Sequence, residues 1–119
     1  MRVLVVDDSK AMRLIVMRTL RQAGLKVDVS EASDGKQALG VIRETPPDLV
    51  MCDWNMPEMS GIELLTALRA EGNGVKFGFV TTESTPEMRA KATEAGALFL
   101  IAKPFTAETF QETLGPLLG

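Results

Sequence analysis

The sequence predicts a single α/β domain: five parallel strands in one doubly wound sheet, with five helices covering both faces. Three observations predict it. Short runs of Val, Leu, Ile and Phe alternate strictly with longer stretches of helical periodicity. The first run, Val3–Leu4–Val5–Val6, is apolar throughout rather than alternating, as a strand covered on both faces must be. A length of 119 residues, 45% of them hydrophobic, fills one domain and leaves little room for a second. Strands alternating with helices imply right-handed crossovers between parallel neighbours.

Each element follows in order. Asp7 and Asp8 end the first strand, and Ser9 caps a helix whose stripe is Met12, Ile15, Val16 and Leu20, closed by Gly24. The second strand, Val27 to Glu31, is polar enough to lie at or near an edge. Asp34 with Gln37 opens the second helix, with Ala38, Leu39 and Ile42 turned inward, and Pro46–Pro47 ends it. Leu49–Val50–Met51–Cys52 is the third strand, stopped by Asp53. Ser60 and Glu63 form a capping box for a third helix that buries Ile62, Leu65 and Leu68. Gly72–Asn73–Gly74 precedes the fourth strand, Lys76 to Val80. Thr85–Pro86 pairs a cap with proline at the first helical position, and Gly96 ends that fourth helix. Leu98 to Ala102 is the fifth strand, Thr106 caps the last helix, and Gly115–Pro116 should end or bend it.

Composition excludes several function classes. The 13 Lys and Arg against 16 Asp and Glu give a formal charge of −3, which offers no footprint for direct binding to DNA or to an anionic membrane. One cysteine, Cys52, and no histidine leave neither a disulfide nor the usual zinc ligand sets. Cys52 reads as a small core residue. Any metal must be held by oxygen, hence magnesium, calcium or manganese. The longest apolar run, Ala97 to Ala102, is too short to span a bilayer, and the N-terminus carries no signal-peptide pattern. The chain reads as soluble and cytoplasmic, without membrane insertion. No G-x-G-x-x-G follows the first strand and no P-loop is present, which argues against a nucleotide site.

In open parallel sheets, ligands bind outside the carboxyl ends of the strands. Polar residues collect at those ends here: Asp7 and Asp8 after the first strand, Asp53 after the third, Thr81 and Thr82 after the fourth, Lys103 after the fifth. Any one of these residues alone reads as a turn former, a cap or a solvated loop residue. Their coincidence at one edge of the sheet is the functional signal. Two carboxylates about 5 Å apart repel by roughly 3 kcal/mol at an effective dielectric near 20. Three together call for a divalent ion. Carboxylates, a lysine and hydroxyls around such an ion suit phosphoryl transfer.

These residues resemble the receiver domains of two-component response regulators, from Val3 to about Leu114. The acidic pair in VVDDS, the segment DWNMPEMSG, the threonine of VTTE and the sequence KPFT stand in family order and spacing. Asp53–Trp54–Asn55–Met56–Pro57 is most similar to the chemotaxis, CheY-type subfamily. The resemblance implies a flavodoxin-like, CheY-like sheet and the following roles. Asp53 is the phosphoacceptor, supplied by the phosphohistidine of a histidine kinase. Asp8, Asp53 and the backbone carbonyl of Asn55 bind Mg2+, with Asp7 acting through water. Thr81 and Lys103 bind phosphoryl oxygens, the backbone N–H groups of Asn55 and Thr82 complete the cradle, and Lys103–Pro104 is a cis bond. Polar Asn55 and Glu83 at the lifetime-setting positions imply a short-lived phosphoryl state.

The resemblance further implies a switch rather than an enzyme proper. A downstream protein would read the face of the fourth helix, fifth strand and last helix, around Phe99 and Leu100. Two departures from the family stand out: Leu100 occupies the usual aromatic switch position, and Thr82 stands where alanine is preferred. Residues 1–119 are expected to be one stand-alone receiver domain, monomeric or weakly dimeric. The alternatives are a receiver cut from a longer regulator, an unphosphorylated docking module, or an aspartate-based phosphatase. The last expects an Asp-x-Asp after the first strand, and Asp7–Asp8 is not one.

Overall fold

In the computed structural model, which describes residues 1–118, strands and helices alternate along the whole chain. The elements are β1 (Arg2–Val6), α1 (Lys10–Gln22), β2 (Asp28–Ala32), α2 (Gly35–Glu44), β3 (Leu49–Cys52), α3 (Gly61–Ala70), β4 (Lys76–Thr81), α4 (Pro86–Ala95), β5 (Leu100–Ala102) and α5 (Ala107–Leu118). The strands form one parallel sheet in the order β2-β1-β3-β4-β5. Strand order reverses between β1 and β3, so the crevice beyond their carboxyl ends is the switch point where such sheets bind ligands. The polar β2 is an edge strand, as its composition predicts.

Two apolar clusters, one on each face, hold the sheet between helix layers. Leu4, Val6, Val50, Cys52, Phe77 and Phe79 point to the side covered by α2, α3 and α4. Val3, Val5, Leu49, Met51 and Val80 point to the side covered by α1 and α5, against Val16, Leu20, Phe110 and Leu114. This double burial is why β1 and β3 are apolar at successive positions.

The caps form where the sequence places them. Ser9, Asp34, Ser60 and Thr85 each accept the N–H three residues on, and Ser60–Glu63 closes a reciprocal capping box. Gln37 instead turns back to the Ser33 N–H at 2.6 Å, one residue before the cap. Gly96 ends α4 in the left-handed region at φ 100°. Arg69 secures that end, donating to the Gly96 carbonyl at 3.1 Å and the Asn73 carbonyl at 2.9 Å. α4 is otherwise thinly held: Ala92 is its one buried residue.

Four expectations are corrected. Ile15 is 44% exposed rather than part of the α1 core stripe, and fully buried Leu64 joins Leu65 and Leu68 on α3 while Ile62 is only partly buried. Both reflect a helical face wider or narrower than the assumed spacing. β5 is shorter than expected and begins at Leu100. Finally, α5 runs through Pro116 to Leu118 instead of ending at Gly115. The proline lies in the last turn on an exposed position, where water can satisfy the carbonyl left without its N–H.

Candidate functional site

The sheet register assembles the site. Val6 pairs with Cys52, so the residues that follow them, Asp7 and Asp53, leave adjacent strands at the same level. The Asp53 N–H donates to the Val6 carbonyl at 2.9 Å, and the Asp7 N–H to the Ala32 carbonyl at 3.1 Å. On the other side Thr81 pairs with Ala102, and the Lys103 N–H donates to the Thr81 carbonyl at 2.7 Å. The Lys103–Pro104 peptide is cis, as the family resemblance implies.

Three carboxylates meet at the centre. One oxygen from each of Asp7, Asp8 and Asp53 lies within 4.8 Å of the other two. Asp7 is buried, Asp53 partly buried and Asp8 exposed, so the cluster opens to solvent on the Asp8 side. Asp7 Oδ1 accepts the Ser9 N–H at 2.9 Å. The Lys103 ammonium reaches Asp7 Oδ2 at 3.3 Å and Asp53 Oδ2 at 3.7 Å, bridging the two. Burial pushes the Asp53 carboxyl above its ordinary 3.8, while Lys103 opposes that rise, the Asp7 charge adds to it, and the N–H groups of Asn55 and Trp54 oppose it. Three hard oxygen donors with an open, wettable side suit Mg2+, which keeps several waters when it binds carboxylates. This acidic cluster could hold such an ion.

The neighbouring groups are arranged around that centre. Thr81 is fully buried; its hydroxyl accepts the Glu83 N–H at 3.4 Å and keeps its own proton to donate. Asn55 and Thr82 are exposed on the flanking loops. Trp54, the residue after Asp53, packs on Phe79 with ring centroids 4.7 Å apart. The tight packing extends to Gly61: a methyl group there would lie 2.3 Å from the Asp53 carbonyl oxygen. Met59 N–H bonds back to the Pro57 carbonyl at 2.7 Å, and the turn holds Glu58 at φ 67°. Cys52 is fully buried, and burial foremost, then the charges of Asp53 and Asp7, push its thiol well above the ordinary range. It stays protonated and inert, the core residue that the sequence suggests.

Phe99 and Leu100 do not share a face. Leu100 packs with the cluster beneath α4, whereas Phe99 packs with the opposite cluster. The Phe99 ring covers Gly78, where an added Cβ would sit 2.1 Å from it. Successive residues along an extended chain alternate sides, so only Leu100 faces the α4 layer. Sequence reasoning also missed Arg13. Its guanidinium donates to the Asp7 carbonyl at 2.6 Å and to Glu31 at 2.9 Å. Its signal, one of four cations on the first helix with Lys10, Arg18 and Arg21, is indistinguishable in sequence from a solvated surface residue.

Known proteins match this arrangement. The family model for the response regulator receiver domain covers residues 3–115. Chemotaxis protein CheY-3 of Vibrio cholerae is 41% identical over 116 residues, spanning 96% of this chain and 88% of that protein. Chemotaxis protein CheY4 of Vibrio cholerae superposes with a TM-score of 0.86 at 36% identity, covering 98% of both chains. The receiver domain of Francisella response regulator 1452 superposes with a TM-score of 0.87 at 27% identity, over 98% of this chain and 95% of that one. With its acidic cluster at the switch point of a five-stranded parallel sheet, the chain belongs to the response regulator receiver domain family, as a chemotaxis-like regulator of two-component signal transduction.

Proposed function

We propose that Asp53 is the phosphoacceptor of this regulator and that its phosphorylation drives the output. One observation supports this above the others: Lys103 spans Asp7 and Asp53 beside a third carboxylate, on the open rim of the sheet. An Asp53 oxygen attacks phosphorus of a histidine kinase's phosphohistidine. The P–O bond forms as the P–N bond breaks, and the imidazole nitrogen keeps the electron pair. Asp7, Asp8, Asp53 and the backbone carbonyl of Asn55 would hold Mg2+, whose charge offsets that of the carboxylates and of the incoming phosphoryl oxygens.

The chain's own groups do the rest. Lys103 exchanges its carboxylate partner for a phosphoryl oxygen, and Thr81 turns its hydroxyl proton to another. The N–H groups of Asn55 and Thr82 complete the cradle. Hydrolysis returns the Asp53 carboxylate and inorganic phosphate, with water ordered by Asn55 and Glu83; both side chains are exposed beside the site and so within reach of solvent. Phosphorylation adds close to two negative charges, which Thr81 and Lys103 bind in one state of the β4–α4 region and not in the other. A partner protein reads the resulting change on α4, β5 and α5, with Leu100 beneath that face and Phe99 behind it.

The test is labelling. With Mg2+ and acetyl phosphate, the chain should gain one phosphoryl group by intact mass, and Trp54 fluorescence should change. Asp53→Ala should remain folded and unlabelled. Labelling of the alanine variant to the wild-type extent would overturn the assignment.

A further inference from the structure

The contact between Arg13 and the Asp7 carbonyl places a cation against the backbone of the acidic pair rather than against its carboxylates. We infer that Arg13 is a positioning residue for the divalent-ion site: it orients the Asp8 carboxylate by fixing the peptide plane between Asp7 and Asp8. This rests on the proposed function above, since it concerns the same site.

The peptide unit is planar, so holding the Asp7 carbonyl oxygen fixes the Asp8 nitrogen and the direction of its Cα. Arg13 holds that oxygen with a 2.6 Å hydrogen bond from Nη1. Its Nε is itself fixed by Glu31 on β2 at 2.9 Å, so the guanidinium is tethered at two points. The other side of Asp7 is fixed as well: its N–H is bound to Ala32, the residue after Glu31, and its side chain is bound to the Ser9 N–H and Lys103. Asp7 is therefore held on all sides, whereas Asp8 is exposed and, among the described residues, its side chain has no hydrogen-bond partner. Its only constraint is the backbone that enters it, and Arg13 sets that backbone. The side chain of Arg13 is 13% exposed, so the bond is not easily exchanged for water.

A purely electrostatic role predicts the opposite of a positioning role. A positive charge near an acidic cluster repels Mg2+, so removing it should tighten binding. Loss of orientation should weaken binding, by roughly tenfold for a group supporting a metal ligand. Arg13→Met keeps most of the aliphatic stem and removes both the charge and the donors. Wild type, R13M and R13K are titrated with MgCl2 by calorimetry and by Trp54 fluorescence, with circular dichroism confirming that each is folded. R13M should bind roughly tenfold more weakly, and R13K, with one compact donor group, should fall between. The amide resonances of Asp8 and Ser9 should move in R13M without any metal.

Equal or tighter Mg2+ binding by R13M overturns the inference. If R13M does not fold, R13K carries the test, and wild-type affinity in R13K overturns it. Absence of Mg2+ binding in the wild-type chain overturns the proposed function itself, a result distinct from either variant outcome.

Discussion

As the proposed phosphoacceptor, Asp53 would combine two demands at one atom: a nucleophile must be ionised, yet burial disfavours the charge. Its carboxyl pKa lies above the ordinary 3.8 chiefly because it is desolvated, so folding works against the ionised form. Stability from this group is fully present below the unfolded pKa and is lost as pH rises through the folded value. Asp53→Asn should therefore be more stable than wild type at pH 7 without divalent ions, and the difference should vanish below the ordinary value of 3.8. Urea unfolding at both pH values checks this. At the same scale, Asp7, Asp8, Asp53, Thr81 and Lys103 were legible as a group because each lies at or just beyond the end of a strand, and the carboxyl ends of parallel strands face one rim. Arg13 was not legible. Its meaning comes from Glu31 and the Asp7 carbonyl, partners 18 and 6 residues away that only the packing of α1 beside β2 brings together.

Among the elements, the β4–β5 pair carries the clearest packing constraint. Gly78 has no side chain because the Phe99 ring occupies the space above it. Gly78→Ala should lower stability by about 1–3 kcal/mol, as overpacking does. Adding Phe99→Leu to that variant should restore part of the loss, a coupling readable from a double-mutant cycle in urea. Sequence reading placed Phe99 and Leu100 on one surface because it considered neighbours in sequence; the twofold alternation of extended chain separates them. Helix starts were legible almost without loss, since each cap is a local bond between a side chain and an N–H three residues away. Burial stripes were less so. Ile15 lies exposed and Leu64 buried because the width of a helix's inner face depends on what packs opposite, which periodicity does not contain.

For the whole molecule, the fold class followed from strict alternation and from strands apolar on both sides. Strand order followed only in part. The polarity of β2 marks an edge, but nothing in sequence fixes β1 and β3 as central neighbours. That adjacency brings Asp7 and Asp53 together, and it links metal binding to global stability. Free Mg2+ at ten times its dissociation constant should stabilise the chain by about 1.4 kcal/mol and raise Tm by about 5 °C. Calorimetric melts with MgCl2 or with EDTA check this, and Asp53→Asn should respond less. Helix α4 fully buries a single side chain, Ala92, with Met88 and Ala95 only partly buried against the core, and is tied at its far end by Arg69. Elements with few buried contacts open at small free energies and exchange their amide hydrogens early. Under the proposed function, α4 is thus the natural lever of this domain: pinned at one end by Arg69, it would be swung by the charge placed at the other.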